Sequence, residues 1–208
     1  MFKYVCSDCH REYLTESLMY TCPECSKEND GKSFLKGILS VELDDETLSK
    51  AKAKEHVTKE DFYPFETKYS SYFPVGPTPL MRSEKLSKGL ENVYFKLDNL
   101  LPSGSFKDRA SYLVGELALK LGERKVALAS TGNAGAAMSA VGAALGLDVL
   151  LFVPESAPVN KLMQSILYKA HVIPVAGTYD DAFALSIEYT KRHGDQQEHC
   201  VQPVHDRG

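Results

Sequence analysis

The chain has 208 residues, 43% hydrophobic and 25% charged, with 24 Lys+Arg against 28 Asp+Glu for a formal charge of -4. That balance suits a globular chain of about one and a half domains and excludes disordered, collagen-like and coiled-coil classes for most of its length. A mildly acidic chain is a poor nucleic-acid partner, no apolar run is long enough to span a membrane, and the opening MFKYVCSDC carries no secretory h-region, so a cytoplasmic protein is expected.

In chain order, the first feature is a set of four cysteines within residues 1–30. Cys6 and Cys9 form one CxxC, Cys22 and Cys25 a second, with twelve residues between the pairs. A reducing compartment disfavours disulfides, and two CxxC turns can place four thiolates around one metal ion. Tyr4-Val5 and Tyr20-Thr21 read as short strands leading into the two knuckles. The expected ligands are Cys6, Cys9, Cys22 and Cys25, with zinc in a structural role, since four thiolates leave no open position for chemistry. A redox or empty cysteine cluster is the alternative, and iron also accepts such a site. Cys200 stands alone in a polar tail and receives no role, and His10, His56 and His171 lack ligand spacing.

Residues 31–92 read as an extension with one helical stretch, Asp45 to Lys54. From Val93 the pattern changes to strands alternating with helices. Strands are expected at Val93–Leu97, Val126–Ala129, Val149–Val153 and Val172–Val175, and helices at Lys107–Leu121, Asn133–Leu145, Val159–Lys169 and Asp180–Arg192. The alternation predicts an α/β fold over 93–194, a parallel sheet with flanking helices, preceded by the small cysteine knuckle.

Two loops carry candidate chemistry. Pro102-Ser103-Gly104-Ser105-Phe106-Lys107-Asp108-Arg109 leads into a helix that Lys107 opens. The positive end of a helix dipole disfavours a lysine's charge, which favours a neutral nucleophilic amine. The plain alternative is a surface lysine beside Asp108. Ser130-Thr131-Gly132-Asn133-Ala134 follows the next strand and opens a helix of small residues, a ready anion site, with a simple helix cap as the alternative.

Taken together, Ser105-Phe106-Lys107-Asp108-Arg109 and Ser130-Thr131-Gly132-Asn133, with Gly76-Pro77-Thr78-Pro79-Leu80 ahead of them, resemble the fold-type II pyridoxal-phosphate enzymes, and within these the threonine synthase family. The cysteine knuckle resembles that of a subset of threonine synthases, and Ala110 stands where the family pattern has glycine. The resemblance spans about residues 1–194. It implies pyridoxal 5'-phosphate (PLP) bound as an internal aldimine on Lys107, with Phe106 in the same cofactor loop and Asn133 at the cofactor's 3-hydroxyl. It implies that Ser130, Thr131, Gly132 and Ala134 receive the carboxylate or phosphate end of a small-molecule substrate. The implied reaction converts O-phospho-L-homoserine and water into L-threonine and phosphate, and a homodimer is compatible with the full-length enzyme. Two other readings stay open: another fold-type II lyase, of the threonine dehydratase or cysteate synthase-like type, and a non-catalytic zinc-knuckle interaction module.

The family's glycine-rich loop for the cofactor phosphate is not found in these residues, nor is the Ser or Thr facing the pyridine nitrogen. Residues 195–208 read DQQEHCVQPVHDRG, which is polar, aperiodic and unlike the family. Codons exist for this stretch that, entered one base later, read INRNTAYNPFTIEG, similar to the next threonine synthase motif. The expectation is a frameshift near His193-Gly194 that leaves a truncated, inactive form; a natural linker is the alternative.

Overall fold

The computed structural model describes residues 2–14, 21–29, 36–83, 89, 92–193 and 200–201. It falls into two compact units, one drawn from Met1–Lys68 and one from Tyr69–His205.

In the first unit, β1 (Phe2–Cys6) lies between β2 (Glu12–Leu14) and β3 (Leu39–Leu43), antiparallel to both. Tyr4 pairs with Tyr13 on one side and Val41 on the other. Thr21 forms a single bridge with Ile38, while Tyr20 lies outside the described residues. Helix α1 (Asp45–Lys52) starts where Asp44 accepts the Thr47 amide at 2.8 Å, a side-chain cap on an otherwise unpaired donor.

The second unit contains a hairpin and a parallel sheet. β4 (Leu80–Arg82) pairs antiparallel with β5 (Tyr94–Lys96), Met81 opposite Phe95. The strand expected over Val93–Leu97 therefore belongs to this hairpin and not to the parallel sheet. Its three residues are all exposed, Tyr94 and Phe95 at 50% and 44%, whereas a strand covered on both faces would be buried.

The sheet runs in the order β8 (His171–Val175), β7 (Asp148–Pro154), β6 (Lys125–Ala129), β9 (Cys200–Val201), every pair parallel. β9 thus draws two residues of the polar tail against Lys125 and Val126. Alternation divides the sheet's side chains between two layers. Ala127, Ala129, Leu150, Phe152, Ile173 and Val175 pack with Ala182 and Phe183 of α5 (Tyr179–His193). On the other face Val149 and Leu151 meet α3 (Asn133–Leu145), against which α2 (Lys107–Lys120) packs. Helix α4 (Val159–Leu167) lies beside α3.

The small residues of α3 make this packing close. A Cβ on Gly142 would stand 2.4 Å from Val149 Cγ2, and one on Gly115 of α2 would stand 2.5 Å from Val141 Cγ1. Helix α3 ends at Gly146, whose φ of 73° is the left-handed cap that glycine adopts without strain. Among the described residues no helix is long and apolar enough to cross a membrane.

Candidate active site and cysteine centre

Topology brings the two candidate loops to one end of β6. Helix α2 ends at Lys120, just before β6 begins at Lys125; α3 begins at Asn133, just after β6 ends at Ala129. Connections this short make each packed helix run back along β6, antiparallel to it. The two helices are therefore parallel neighbours. Their contact agrees: Gly115 lies eight residues past Lys107, and Val141 lies eight past Asn133. Lys107 and Asn133 thus both open their helices at the carboxyl end of β6, where ligands bind in open α/β sheets.

The loop before Lys107 is held from several sides. Gly104 takes φ 86°, a left-handed turn. Asp108, fully buried in the first turn of α2, accepts the Ser103 amide at 2.7 Å and the Ser103 hydroxyl. Gln164 of α4 donates its side-chain amide to the Ser103 carbonyl at 2.8 Å. Ser105 is buried, and its hydroxyl oxygen has no hydrogen-bond partner among the described residues. Lys107 is half-buried and makes no ion pair among the described residues; its Nζ lies 4.9 Å from the ring centre of the exposed Phe106.

Arg109 ties two of the three sequence motifs together, its own and the Gly76–Leu80 segment. Its Nε and Nη2 donate to Asp98 Oδ2 and Oδ1 at 3.0 and 2.9 Å, Nη1 to the Gly76 carbonyl at 3.4 Å, and Nη2 to Thr78 Oγ1 at 3.4 Å. Thr78 in turn donates its hydroxyl to Asp98 at 2.5 Å, and Lys96 donates to the Thr78 carbonyl. The Arg109 guanidinium, and next the Thr78 hydroxyl, hold the Asp98 carboxyl well below the usual carboxylate range. The lysine loop thus follows β5 of the antiparallel hairpin, by way of Asp98, and not a strand of the parallel sheet.

At the second loop the buried Ser130 oxygen accepts the amides of Gly132 and Gly135 at 3.3 and 3.0 Å. It therefore caps α3, satisfying donors that a helix start leaves open. Thr131 and Ala134 are half-buried, and Gly132 and Asn133 are exposed. A Cβ on Gly132 would meet nothing within 4 Å, so there is open space before the helix. The Tyr179 hydroxyl donates to the carbonyl of Ala129 at 3.0 Å, fixing the residue from which the loop departs.

These features fit a PLP site on their chemistry: an amine with no carboxylate partner among the described residues, an exposed amide side chain, and a helix N-terminus facing open space. Sequence alone assigns no role in the site to Asp98, Asp108, Gln164 or Tyr179. Asp108 and Asp98 lie inside or close to a motif and could have been marked. Gln164 and Tyr179 act across 61 and 50 residues and leave no local signal.

The four cysteines of the first unit are brought together as spacing predicts. All four are free, and their sulfur atoms lie within 4.8 Å of one another. The Cys6–Cys25 and Cys9–Cys22 separations are 3.9 and 3.7 Å. A tetrahedron with metal–sulfur bonds of about 2.3 Å has edges of about 3.8 Å, so the cluster has the size of a tetrathiolate metal site. Cys6 and Cys22 are fully buried and Cys9 is exposed.

Two backbone features brace the knuckles. Gly37, at φ 79°, presses against the second, where a Cβ would lie 3.1 Å from that of Cys22 and 3.2 Å from that of Cys25. Its carbonyl accepts the Cys22 amide at 2.7 Å, while its own amide donates to Asp8 of the first knuckle at 2.7 Å. That Gly37 amide, with the Ser7 hydroxyl second, holds the Asp8 carboxyl below its ordinary value. The amide of Cys25, and then the Tyr13 hydroxyl, draw the Cys22 thiol down to about 6. The Cys9 thiol, with burial next, pushes Cys25 up to about 12.

Comparison with known proteins agrees with this arrangement. The family model described as pyridoxal-phosphate dependent enzyme matches residues 72–203. The chain is similar to the threonine synthase of Methanosarcina acetivorans, 32% identical over 197 residues, which is 89% of this chain and 45% of the relative. It is likewise 32% identical over 200 residues to the threonine synthase of Methanocaldococcus jannaschii, covering 89% of this chain and 46% of the relative. The Halalkalibacterium halodurans threonine synthase is 40% identical over 110 residues, 51% of this chain and 31% of that one. The chain thus spans about half the length of the first two of these relatives.

Among solved structures, the processed threonine deaminase isoform 2 of Solanum lycopersicum aligns with a TM-score of 0.56 and 25% identity, over 64% of this chain and 37% of that one. O-acetyl serine sulfhydrylase isoform 3 of Entamoeba histolytica aligns at 0.57 with 21% identity, over 66% and 43%, a likeness of fold. With a family match over more than half its length, on the parallel sheet and loops described above, the chain belongs to the pyridoxal-phosphate dependent enzymes of fold type II.

Proposed function

We propose that this chain supplies the lysine-bearing half of a threonine synthase, an enzyme forming L-threonine and phosphate from O-phospho-L-homoserine and water. The observation that carries this reading is the presence of Lys107 and Asn133 at parallel helix starts, in a chain whose similar relatives are threonine synthases.

In this reading Lys107 and Asn133 would hold PLP, with Phe106 beside Lys107. When bound, PLP supplies an electron sink for carbanions next to the substrate nitrogen. Lys107 would hold the cofactor through its amine, and its Nζ would carry protons to and from substrate carbons. Asn133 would donate its side-chain amide to the ring hydroxyl. The amide groups opening α3, with the Thr131 hydroxyl, bind the anionic end of the substrate, and Gly132 leaves room for its approach. Ser130 shapes this loop through its two amide bonds. In the first unit Cys6, Cys9, Cys22 and Cys25 hold a structural zinc ion.

The test reads cofactor capture. After incubation with PLP and borohydride reduction, peptide mapping should find the pyridoxyl group on Lys107, and Lys107→Ala should lose it while retaining its helix content. Labelling at another lysine, or equal labelling of the variant, overturns the assignment. O-phospho-L-homoserine should perturb the cofactor's absorbance at concentrations where L-threonine does not; the reverse order would move the chain to the dehydratase type.

A further inference from the structure

Two of the four clustered cysteines in the first unit are fully buried, and four thiolates around a divalent ion leave two excess negative charges in that setting. Such a site needs hydrogen-bond donors and positive charge around it. Backbone amides supply part of this: Cys9 donates to Cys6 Sγ at 3.5 Å, and the amides of Cys25 and Glu24 donate to Cys22. One further donor is a side chain.

Tyr13 lies on β2 directly opposite Tyr4 of β1. Opposed residues of an antiparallel pair share a face, and so do residues two apart on one strand. Tyr13 therefore lies on the same face as Cys6. Its hydroxyl oxygen stands 3.0 Å from Cys22 Sγ. Among the described residues it is the one side chain, other than the cysteines themselves, that hydrogen-bonds the cluster. Arg11, two residues before Tyr13 on the chain, brings positive charge toward the Tyr13 phenol and Cys9, and Lys36 brings it toward Cys25.

We propose that Tyr13 is a working part of the metal centre, donating its phenol O–H to the metal-bound sulfur of Cys22. A sulfur that ligates a metal has lost its proton, so the direction of the bond is settled: oxygen donates and sulfur accepts. The bond withdraws charge from the sulfur, keeps the thiolate available to the ion, and shields it from electrophiles. The positive charge of Arg11 near the phenol makes Tyr13 the stronger donor. The inference rests on reading the four cysteines as a metal site.

The experiment uses the full chain loaded with zinc or with Co(II), compared with Tyr13→Phe, Arg11→Ala and, as a control, Tyr4→Phe. Tyr4 is buried on the neighbouring strand, and burial alone governs its hydroxyl. Competition with a chelator should show a loss of zinc affinity of about tenfold in Tyr13→Phe, the lower end for a lost partner of a metal ligand. The sulfur-to-cobalt charge-transfer band should move to lower energy in the same variant, since its sulfur holds its electrons less tightly. Arg11→Ala, at an exposed site that leaves the ring in place, should move both readouts in the same direction by less, and it carries the test if Tyr13→Phe does not stay folded. Tyr4→Phe should leave both unchanged. Wild-type affinity and band position in Tyr13→Phe, or in Arg11→Ala where that variant alone folds, overturn the role given to Tyr13. A wild-type chain that binds neither zinc nor Co(II) at stoichiometric level overturns the metal reading itself.

Discussion

Arg109 and Asp98 meet in a two-pronged ion pair, Nε on Oδ2 and Nη2 on Oδ1, that also gathers Thr78 and the Gly76 carbonyl. Arg109 lies two residues from Lys107 on the first turn of α2, so the pair anchors the start of that helix to the hairpin segment before it. A planar guanidinium suits this fork and an ammonium does not.

Asp98→Asn should destabilise the second unit, and the effect should depend on pH. The folded carboxyl is held below its ordinary value of 3.8 by Arg109 and then Thr78. A depressed folded value means the contribution is complete above the unfolded value and is lost as pH falls through the folded one. Denaturant unfolding of wild type and variant should therefore differ by a constant amount near neutral pH, with the gap closing below about pH 4. A gap independent of pH would remove the carboxylate from the explanation.

Gly115→Ala and Gly142→Ala should each lower stability by about 1–3 kcal/mol, the usual cost of an added methyl in a packed interface. The added carbon would stand 2.5 Å from Val141 or 2.4 Å from Val149. Gly132→Ala, with nothing within 4 Å, should cost far less in the same melts. Equal losses at all three sites would contradict the close packing of α3.

Ser130→Ala removes the oxygen that accepts two amides at the start of α3 and should cost about 1 kcal/mol, as other lost caps do. Hydrogen exchange should rise at the amides of Gly132 and Gly135 first. Unchanged protection there would leave Ser130 to the substrate alone.

Removing the proposed zinc with a chelator under reducing conditions should unfold the first unit while the helices of the second remain, because metal affinity and folding are coupled in small tetrathiolate sites. Far-ultraviolet dichroism and limited proteolysis within residues 1–68 would follow this. Retained protection after complete metal loss would make the cluster dispensable for folding.

The tail offers a prediction at the level of nucleotides. Resequencing across the codons for Arg192 to Gly208 should reveal one base gained or lost near His193-Gly194, with the shifted frame continuing into family-like sequence. A frame that reads unchanged would make the tail native, and the pairing of Cys200-Val201 with β6 would then be its own contribution to the sheet.

The sequence by itself determined the features whose signals are local. Asn133 and Leu145 bound α3 as expected, because small residues recur at helical spacing and Gly146 can take the left-handed cap. Lys107 opens α2, β6 to β8 fall within one or two residues of their apolar runs, and two CxxC turns suffice to draw four thiols together. What only the tertiary structure decided are pairings between residues far apart in the chain. The partner of Tyr94–Lys96 proved to be Leu80–Arg82, because a hairpin needs a neighbouring edge that periodicity does not report. Asp98 became the acceptor of Arg109, Tyr13 the neighbour of Cys22 and Gln164 the partner of Ser103, each through geometry that exists only once the chain has closed. Periodicity records which face a side chain occupies; which group meets it there is set by how the elements pack.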